Sequence, residues 1–348
     1  MKYKIYLILA LTGILLVLGG VGGLVYYIDP YQQYHTPREE FAYNMDTNSF
    51  AYYNPGIAKN YEYDTVITGS SMSRALLPSY VDEKFSCKTV KLSMAEARGK
   101  DLGDLFEVLE RQENWGRVIM ALDTFAYTVD KDYSSYEKPE YLYDDNPLND
   151  MLYLVNMDGL TESVKTVSYT WNGGETTSRD DYQNYVLENE FSEEVVLEIL
   201  RESGIVEKAN DYDVDELRRT ITDNLNQNII PVIENNPEVE FIFYYPPYSI
   251  VRWAINPEME SVLKAMEIIA EELIEYPNVS LFFYQGKQDV MTDLNHYMDT
   301  IHFDTEVAND IVDFVAEDSN KMTIDNYKQT IDEFANFLRS YDYDILLE

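Results

Sequence analysis

The run from Ile5 to Ile28 is 24 residues without a charge. About 20 apolar residues suffice to span a bilayer as a helix, so this run sets the frame for the rest of the chain. Lys2 and Lys4 precede it, and Asp29 is the first charge beyond it. The positive-inside rule then leaves the N-terminus cytosolic and everything after the run outside, a single-pass topology. The alternative is a cleaved signal peptide, with its small-residue site in Gly19-Gly20-Val21-Gly22-Gly23. The apolar run continues past that site through Leu24-Val25-Tyr26-Tyr27-Ile28, which favours a retained anchor. No cysteine lies in the run or directly after it, which excludes a lipoprotein anchor. The expected division is a cytosolic tip and anchor at 1–28, a Tyr-, Asn- and Pro-rich stalk at 29–61 that packs on the domain, and a folded domain at 62–348.

The 26 Lys and Arg against 63 Asp and Glu give a formal net charge of −37. Such a chain is repelled by nucleic-acid phosphates, so nucleic acid is excluded as a partner. A hydrophobic content of 45% argues against general disorder. The 31 tyrosines suit a wet, sugar-facing surface, or reflect a compositional habit of the source. Cys87 is the only cysteine and His35, His296 and His302 the only histidines, so a Cys/His zinc site is excluded and few neutral-pH bases are available.

Beyond the stalk, short buried runs alternate with amphipathic stretches. Strands are expected at 63–68, 89–93, 118–122, 239–245 and 279–284. Helices are expected at 71–81, 100–112, 256–275 (Asn256 as cap, Pro257 in first position), 304–317 and 323–340. Strand-helix alternation implies a parallel sheet covered by helices, an α/β fold. Residues 129–235 break the rhythm with loop-like stretches at 129–150 and 172–184 and helical ones at 192–202 and 215–228. They read as an insertion, a lid or partner surface.

Active sites of parallel sheets sit at the carboxyl ends of the strands. The first strand ends in Thr68-Gly69-Ser70-Ser71-Met72, which places a hydroxyl at a strand-to-helix turn, where free N–H groups can hold an oxyanion. Ser is also a preferred helix cap, and one serine of the pair can serve only that. After the last strand come Asp299 and His302, an orienting carboxylate and a base three residues apart. A serine hydroxyl needs such a base. Alone, this pair reads first as a structural cap for the helix at Asp304; together with the serine turn it reads as a triad. His296 is the rival base. Asp123, after the third strand, either positions substrate or caps a turn. Asp211-Tyr212-Asp213 begins like a calcium loop, but Glu216 and Thr222 stand where Gly and Glu are required. Neither a Gly-x-Ser-x-Gly elbow nor a P-loop or dinucleotide fingerprint occurs, and no cofactor is implied.

Gly69-Ser70-Ser71 resembles a variant of the Gly-Asp-Ser block of SGNH/GDSL hydrolases, and Asp299-Thr300-Ile301-His302 resembles their closing Asp-x-x-His block. Asn54-Pro55-Gly56-Ile57-Ala58-Lys59, Gly69 to Met72, Tyr297 to His302, Asp29-Pro30, Tyr34-His35 and Pro246-Pro247-Tyr248 look like the membrane-anchored Gram-positive branch, distantly similar to the DltD type. The resemblance implies a flavodoxin-like three-layer α/β/α fold and Ser71-His302-Asp299 acyl-ester chemistry. It also implies a cell-surface polymer or acyl ester as substrate, and a membrane acyltransferase as a possible partner. The chain departs from the pattern after the second strand, where Ser93-Met94-Ala95-Glu96 lacks the oxyanion glycine, and after the third, where Asp123-Thr124 lacks the asparagine. Backbone N–H groups of Ser71, Ala95 and Glu96 remain as oxyanion donors. Two readings follow: an extracytoplasmic serine esterase or O-acyltransferase, and a non-catalytic subunit of a cell-envelope modification system that keeps the fold. For an acidic ectodomain, substrate is either neutral or cationic, or meets a local basic patch, for which Arg74, Lys91, Arg98 and Lys100 lie nearest in sequence, Arg74 being the expected substrate contact.

Overall fold

A computed structural model of the protein describes residues 2–45, 48–112, 115–209 and 211–347. Helices of eight residues or more are numbered here. In chain order the elements are α1 (Lys2–Ile28), α2 (Phe50–Asn60), β1 (Thr65–Thr68), α3 (Pro78–Phe85), β2 (Thr89–Lys91), α4 (Gly99–Leu109), β3 (Arg117–Ala121), α5 (Met157–Trp171), α6 (Glu193–Ser203), α7 (Val214–Asn228), β4 (Glu240–Tyr244), α8 (Met259–Leu273), β5 (Val279–Phe282), α9 (Thr305–Val315), β6 (Lys321–Met322) and α10 (Tyr327–Ser340). The chain divides into two compact units, Met1–Tyr61 with Lys138–Ser178, and Glu62–Glu137 with Arg179–Glu348. The interval read as an insertion is thus split between them.

The N-terminal unit holds α1, which is long and apolar enough to cross a membrane, as a signal sequence also is. Its C-terminal end packs on α5 and on the short turn before it, with Gly22 against Leu154 and Val155, and Val25 against Gly159 of α5. Asp29, in a left-handed turn, ends the helix. Its carboxylate accepts the N–H groups of Gln33, Tyr34 and His35 and the Tyr153 hydroxyl. The stretch read as a stalk contains α2, where Gly56 lies so close to the Tyr31 and Gln32 carbonyls that a Cβ would sit 2.5 Å from both. Pro55 inside that helix, and the Gly, Ser and Thr content of α5, hide both helices from a periodicity reading.

The second unit is an α/β fold. Its six-stranded sheet has the order β2-β1-β3-β4-β5-β6, parallel except for β6, which pairs antiparallel with β5. This sixth strand is two residues long, too short to read from sequence. The order reverses between β1 and β3. With right-handed crossovers, α3 then lies on one face of the sheet and α4, α7 and α8 on the other. Accordingly α3 packs with α9, while α4, α7, α8 and α10 form a row. Strands covered on both faces carry near-continuous apolar runs, and Val66, Ile67, Val118, Ile119, Met120, Phe241 and Phe243 are all fully or almost fully buried. Tyrosines serve this core too: Tyr127, Tyr244, Tyr245, Tyr284 and Tyr297 have no exposed surface.

Two boundaries differ from expectation for proline reasons. The helix expected at 71–81 is one 3₁₀ turn, Ser71–Ser73, followed by α3. Pro78 forces Leu77 into extended backbone, so no helix can run through it. Likewise Asn256 is extended before Pro257, its side chain accepts the Glu258 N–H at 3.0 Å, and α8 begins at Met259 rather than at the proline.

One buried cation gives a pH prediction. Lys91, on the edge strand β2, donates to the Arg74 carbonyl at 2.8 Å and lies 3.4 Å from that of Asp180. Burial, aided by the nearby Arg74 charge, pushes its amine down to about 7 against the pull of Asp180 and Asp181. An unfolded lysine releases its proton near 10.4, so between these values the unfolded chain holds more protons and stability rises with pH. Relative to Lys91→Met, wild-type stability should climb by up to about 1.4 kcal/mol per pH unit from pH 7 to 9. Denaturant midpoints of both proteins at each pH check this; a gap that does not change with pH contradicts it.

Candidate active site

The residues that end the strands converge at the carboxyl edge of the sheet, where the strand order reverses between β1 and β3, the usual place for a site in such a sheet. β1 leaves the sheet at Gly69, whose φ of +119° suits glycine alone. A Cβ there would lie 3.1 Å from the Ala121 nitrogen on β3. Gly69→Ala should therefore cost about 1–3 kcal/mol, read as a lowered melting temperature of the full chain; an unchanged melt contradicts this.

The two serines that follow are engaged differently, one as a helix cap and the other by the histidine of the closing loop. Ser70 is the cap: its Oγ accepts the Met72 N–H at 3.2 Å and donates to Asp123. Ser71, partly exposed, is hydrogen-bonded through Oγ to His302 Nε2 at 2.8 Å. His302 Nδ1 lies 2.6 Å from Asp299 Oδ2. The other Asp299 oxygen accepts the N–H groups of Ile301 and His302, each at 2.8 Å. Burial raises the Asp299 pKa, but these hydrogen bonds and the His302 charge outweigh it and hold the carboxyl below its usual value. An ionised Asp299 accepts only, so Nδ1 carries the imidazole proton and the Nε2 lone pair faces the serine hydroxyl.

Packing fixes this loop. Ser249, after β4, donates from both N–H and Oγ to the Thr300 carbonyl, at 3.0 and 2.8 Å. Tyr185 presents its ring edgewise to His302, centroids 5.0 Å apart, and donates its hydroxyl to the Phe303 carbonyl at 2.9 Å. His296, the rival base, pairs instead with Asp304 at 2.8 Å, and Asp304 caps α9 by accepting the Val307 N–H. Burial disfavours a charge on His296, but Asp304 and Asp293 together raise its pKa. The helix-capping Asp/His pair is thus His296 with Asp304, not Asp299 with His302. His35 belongs to the N-terminal unit, beside the carbonyls of Thr36 and Tyr26.

Asp123 is fully buried, and its two oxygens accept from the Ser70 and Tyr248 hydroxyls, the latter at 2.5 Å. Burial raises its pKa above the ordinary carboxylate value. It braces the serine turn against the segment after β4, and no part of it is open to substrate. Arg74 donates to the Gln183 carbonyl at 2.7 Å, with its guanidinium 6.0 Å over the Tyr185 ring. Among the described residues, the N–H groups of Ser71, Ala95 and Glu96 have no acceptor. Glu96 adopts a left-handed φ of 56° in the Met94–Ala97 turn, the conformation glycine takes most easily. The oxyanion donors expected at these positions are therefore unoccupied by the fold itself.

Sequence reasoning passed over Ser70 as a brace and Tyr185 altogether. Tyr248 carried a signal, since it follows the Pro246-Pro247 pair beyond β4. Tyr185 carried none, because it opens a short 3₁₀ turn, Tyr185–Glu188, far in sequence from either motif. Compared with known proteins, the chain matches no family model and no curated sequence.

Proposed function

We propose that the chain is an SGNH-type serine esterase or O-acyltransferase, held at the cell membrane by α1 with its α/β unit outside the cytoplasm. The observation that carries this reading is the continuous relay from Ser71 through His302 to Asp299, at 2.8 and 2.6 Å. The strand order 2-1-3-4-5 of flavodoxin-like sheets supports the fold assignment.

Chemistry follows from the relay. Ser71 Oγ attacks the ester carbonyl carbon while His302 Nε2 takes its proton. The negative charge on the former carbonyl oxygen is met by the N–H groups of Ser71 and of Ala95 or Glu96, each donor being worth roughly 2.7–4 kcal/mol in such sites. The tetrahedral species collapses, the alcohol leaves with the proton from His302, and the acyl group stays on Ser71. Water or an acceptor hydroxyl then gives its proton to His302, attacks the acyl-serine and regenerates the free hydroxyl. Asp299 stabilises the imidazolium in both halves. Water as acceptor makes an esterase; a hydroxyl of a surface glycan or teichoic-acid-like polymer makes an O-acyltransferase.

The test is turnover of a panel of short acyl esters by the full-length protein in detergent, with and without glycerol as acceptor. Alcohol release above the uncatalysed rate is expected, with acyl glycerol formed if transfer operates. A folded protein inert on every ester overturns the enzyme reading. It would favour the second one, a non-catalytic subunit of a cell-envelope modification system. What supports that alternative is Asp123, a carboxylate engaged by two hydroxyls where an asparagine donor is the SGNH norm.

A further inference from the structure

The four cations nearest the serine turn in sequence are all engaged within the chain. Arg74 and Lys91 donate to carbonyls, Arg98 donates to the Phe125 carbonyl at 2.8 Å and to Ser135, and Lys100 pairs with Asp104. A different cation is open. Arg252, on the short helix Ile250–Ile255 after β4, makes no side-chain hydrogen bond or ion pair among the described residues. Among the described residues, Arg74 and Arg98 also lack a carboxylate partner, but each has a carbonyl acceptor, which Arg252 does not.

Arg252 lines a cavity of about 370 Å³ in the α/β unit, large enough for a small organic ligand. Ser71 and His302 do not line it, but their neighbours do. Ile301 precedes His302, Thr124 follows Asp123, and Tyr248 is the hydroxyl partner of Asp123. Two further donors share the cavity. Trp253 is fully buried, and its indole N–H has no acceptor. Asn256 is buried; its Oδ1 accepts the Glu258 N–H, and its amide N–H groups have no acceptor among the described residues. A buried donor left unpaired normally costs about 1–3 kcal/mol, and of the three the Trp253 indole N–H is such a donor, while half-buried Arg252 and the Asn256 amide add donors at the same cavity. The Glu258 carboxylate also lines the cavity but belongs to an exposed residue and forms no ion pair with Arg252.

We infer that this cavity is an anion subsite, in which Arg252, the Trp253 indole and the Asn256 amide hold a carboxylate or phosphate group on the substrate of the neighbouring Ser71 site. The inference rests on the esterase or acyltransferase reading for the word substrate, but not for the binding itself. The planar guanidinium fork suits either oxyanion, and apolar Leu217 and Val262 suit a short carbon chain between anion and ester.

The experiment is calorimetric titration of the full-length Ser71→Ala protein in detergent with three probes: monomethyl succinate, glycerol 3-phosphate and neutral dimethyl succinate. At least one anionic probe should bind ten-fold or more tighter than the neutral one, and which of them does so distinguishes carboxylate from phosphate. Adding Arg252→Gln should remove that preference, and adding Arg252→Lys, which keeps the charge without the fork, should leave an intermediate one. Equal affinity for all three probes overturns the subsite, as does a preference unchanged in both Arg252 variants. Should Arg252→Gln fail to fold, the Arg252→Lys titration decides. Because binding is measured without turnover, an inert serine sinks the catalytic reading and leaves this one standing or falling on its own.

Discussion

Alanine at position 71 should lower ester turnover by at least about 10⁴-fold while the protein melts as before. Removing the nucleophile of a serine triad typically leaves only what the oxyanion donors and binding contribute, so the loss is of this order or larger. It corresponds to about 5.5 kcal/mol of activation free energy. The effect on stability is small by comparison. Ser71 Oγ makes one hydrogen bond, to His302, at a partly exposed position, worth about 1 kcal/mol. The structural work of the turn is done by Ser70, whose hydroxyl holds both the Met72 N–H and Asp123. Ser70→Ala should accordingly reverse the pattern, lowering the melt more than Ser71→Ala does. Parallel initial rates and melting curves check the contrast; a Ser71→Ala protein that retains wild-type turnover contradicts it.

Asparagine at position 299 should cost about 10⁴-fold in kcat without unfolding the loop. The amide oxygen can still accept the N–H groups of Ile301 and His302, now held at 2.8 Å by Asp299 Oδ1. The amide nitrogen, however, donates where the carboxylate accepted. His302 Nδ1 must then be the unprotonated nitrogen and Nε2 carries the proton, the wrong tautomer for taking one from Ser71. Alanine at 299 removes the loop hydrogen bonds as well, so it should lower the melting temperature where asparagine does not. Comparing the two variants separates orientation of the base from support of the loop. Turnover within ten-fold of wild type for Asp299→Asn would mean that His302 is not oriented by this carboxylate.

The outline of this site was readable because its parts are local in sequence. A buried run of Val66-Ile67 followed by Gly69 announces a strand and its exit, and Asp299 and His302, three residues apart in one loop, are close enough in sequence to meet. What stayed hidden depends on tertiary packing. Asp123 was placed near the site by its position after β3, but its role as a brace follows from two hydroxyls that come from 53 residues before it and 125 after it. Tyr185 reaches His302 from across 117 positions of chain, out of a stretch with neither period nor motif. The basic residues show the same limit. Proximity in sequence singled out Arg74, Lys91, Arg98 and Lys100, all consumed by carbonyls or a carboxylate. Arg252, a cation left open at the neighbouring cavity, sits 181 positions beyond Ser71. Helix α5 was missed for an energetic reason: its β-branched and small residues are weak helix formers, and packing against α1 supplies what propensity does not.

The nucleophilic character of Ser71 is tested most directly by treating the full-length protein with a fluorophosphonate and locating the adduct by peptide mass. Ser71 Oγ displaces fluoride from phosphorus and its proton passes to His302, so labelling reports the relay without any knowledge of the natural substrate. One adduct on Ser71 is expected, absent from Ser71→Ala and strongly slowed in Asp299→Asn. No adduct on folded wild-type protein, or equal labelling of wild type and Ser71→Ala, would contradict the relay as a catalytic device.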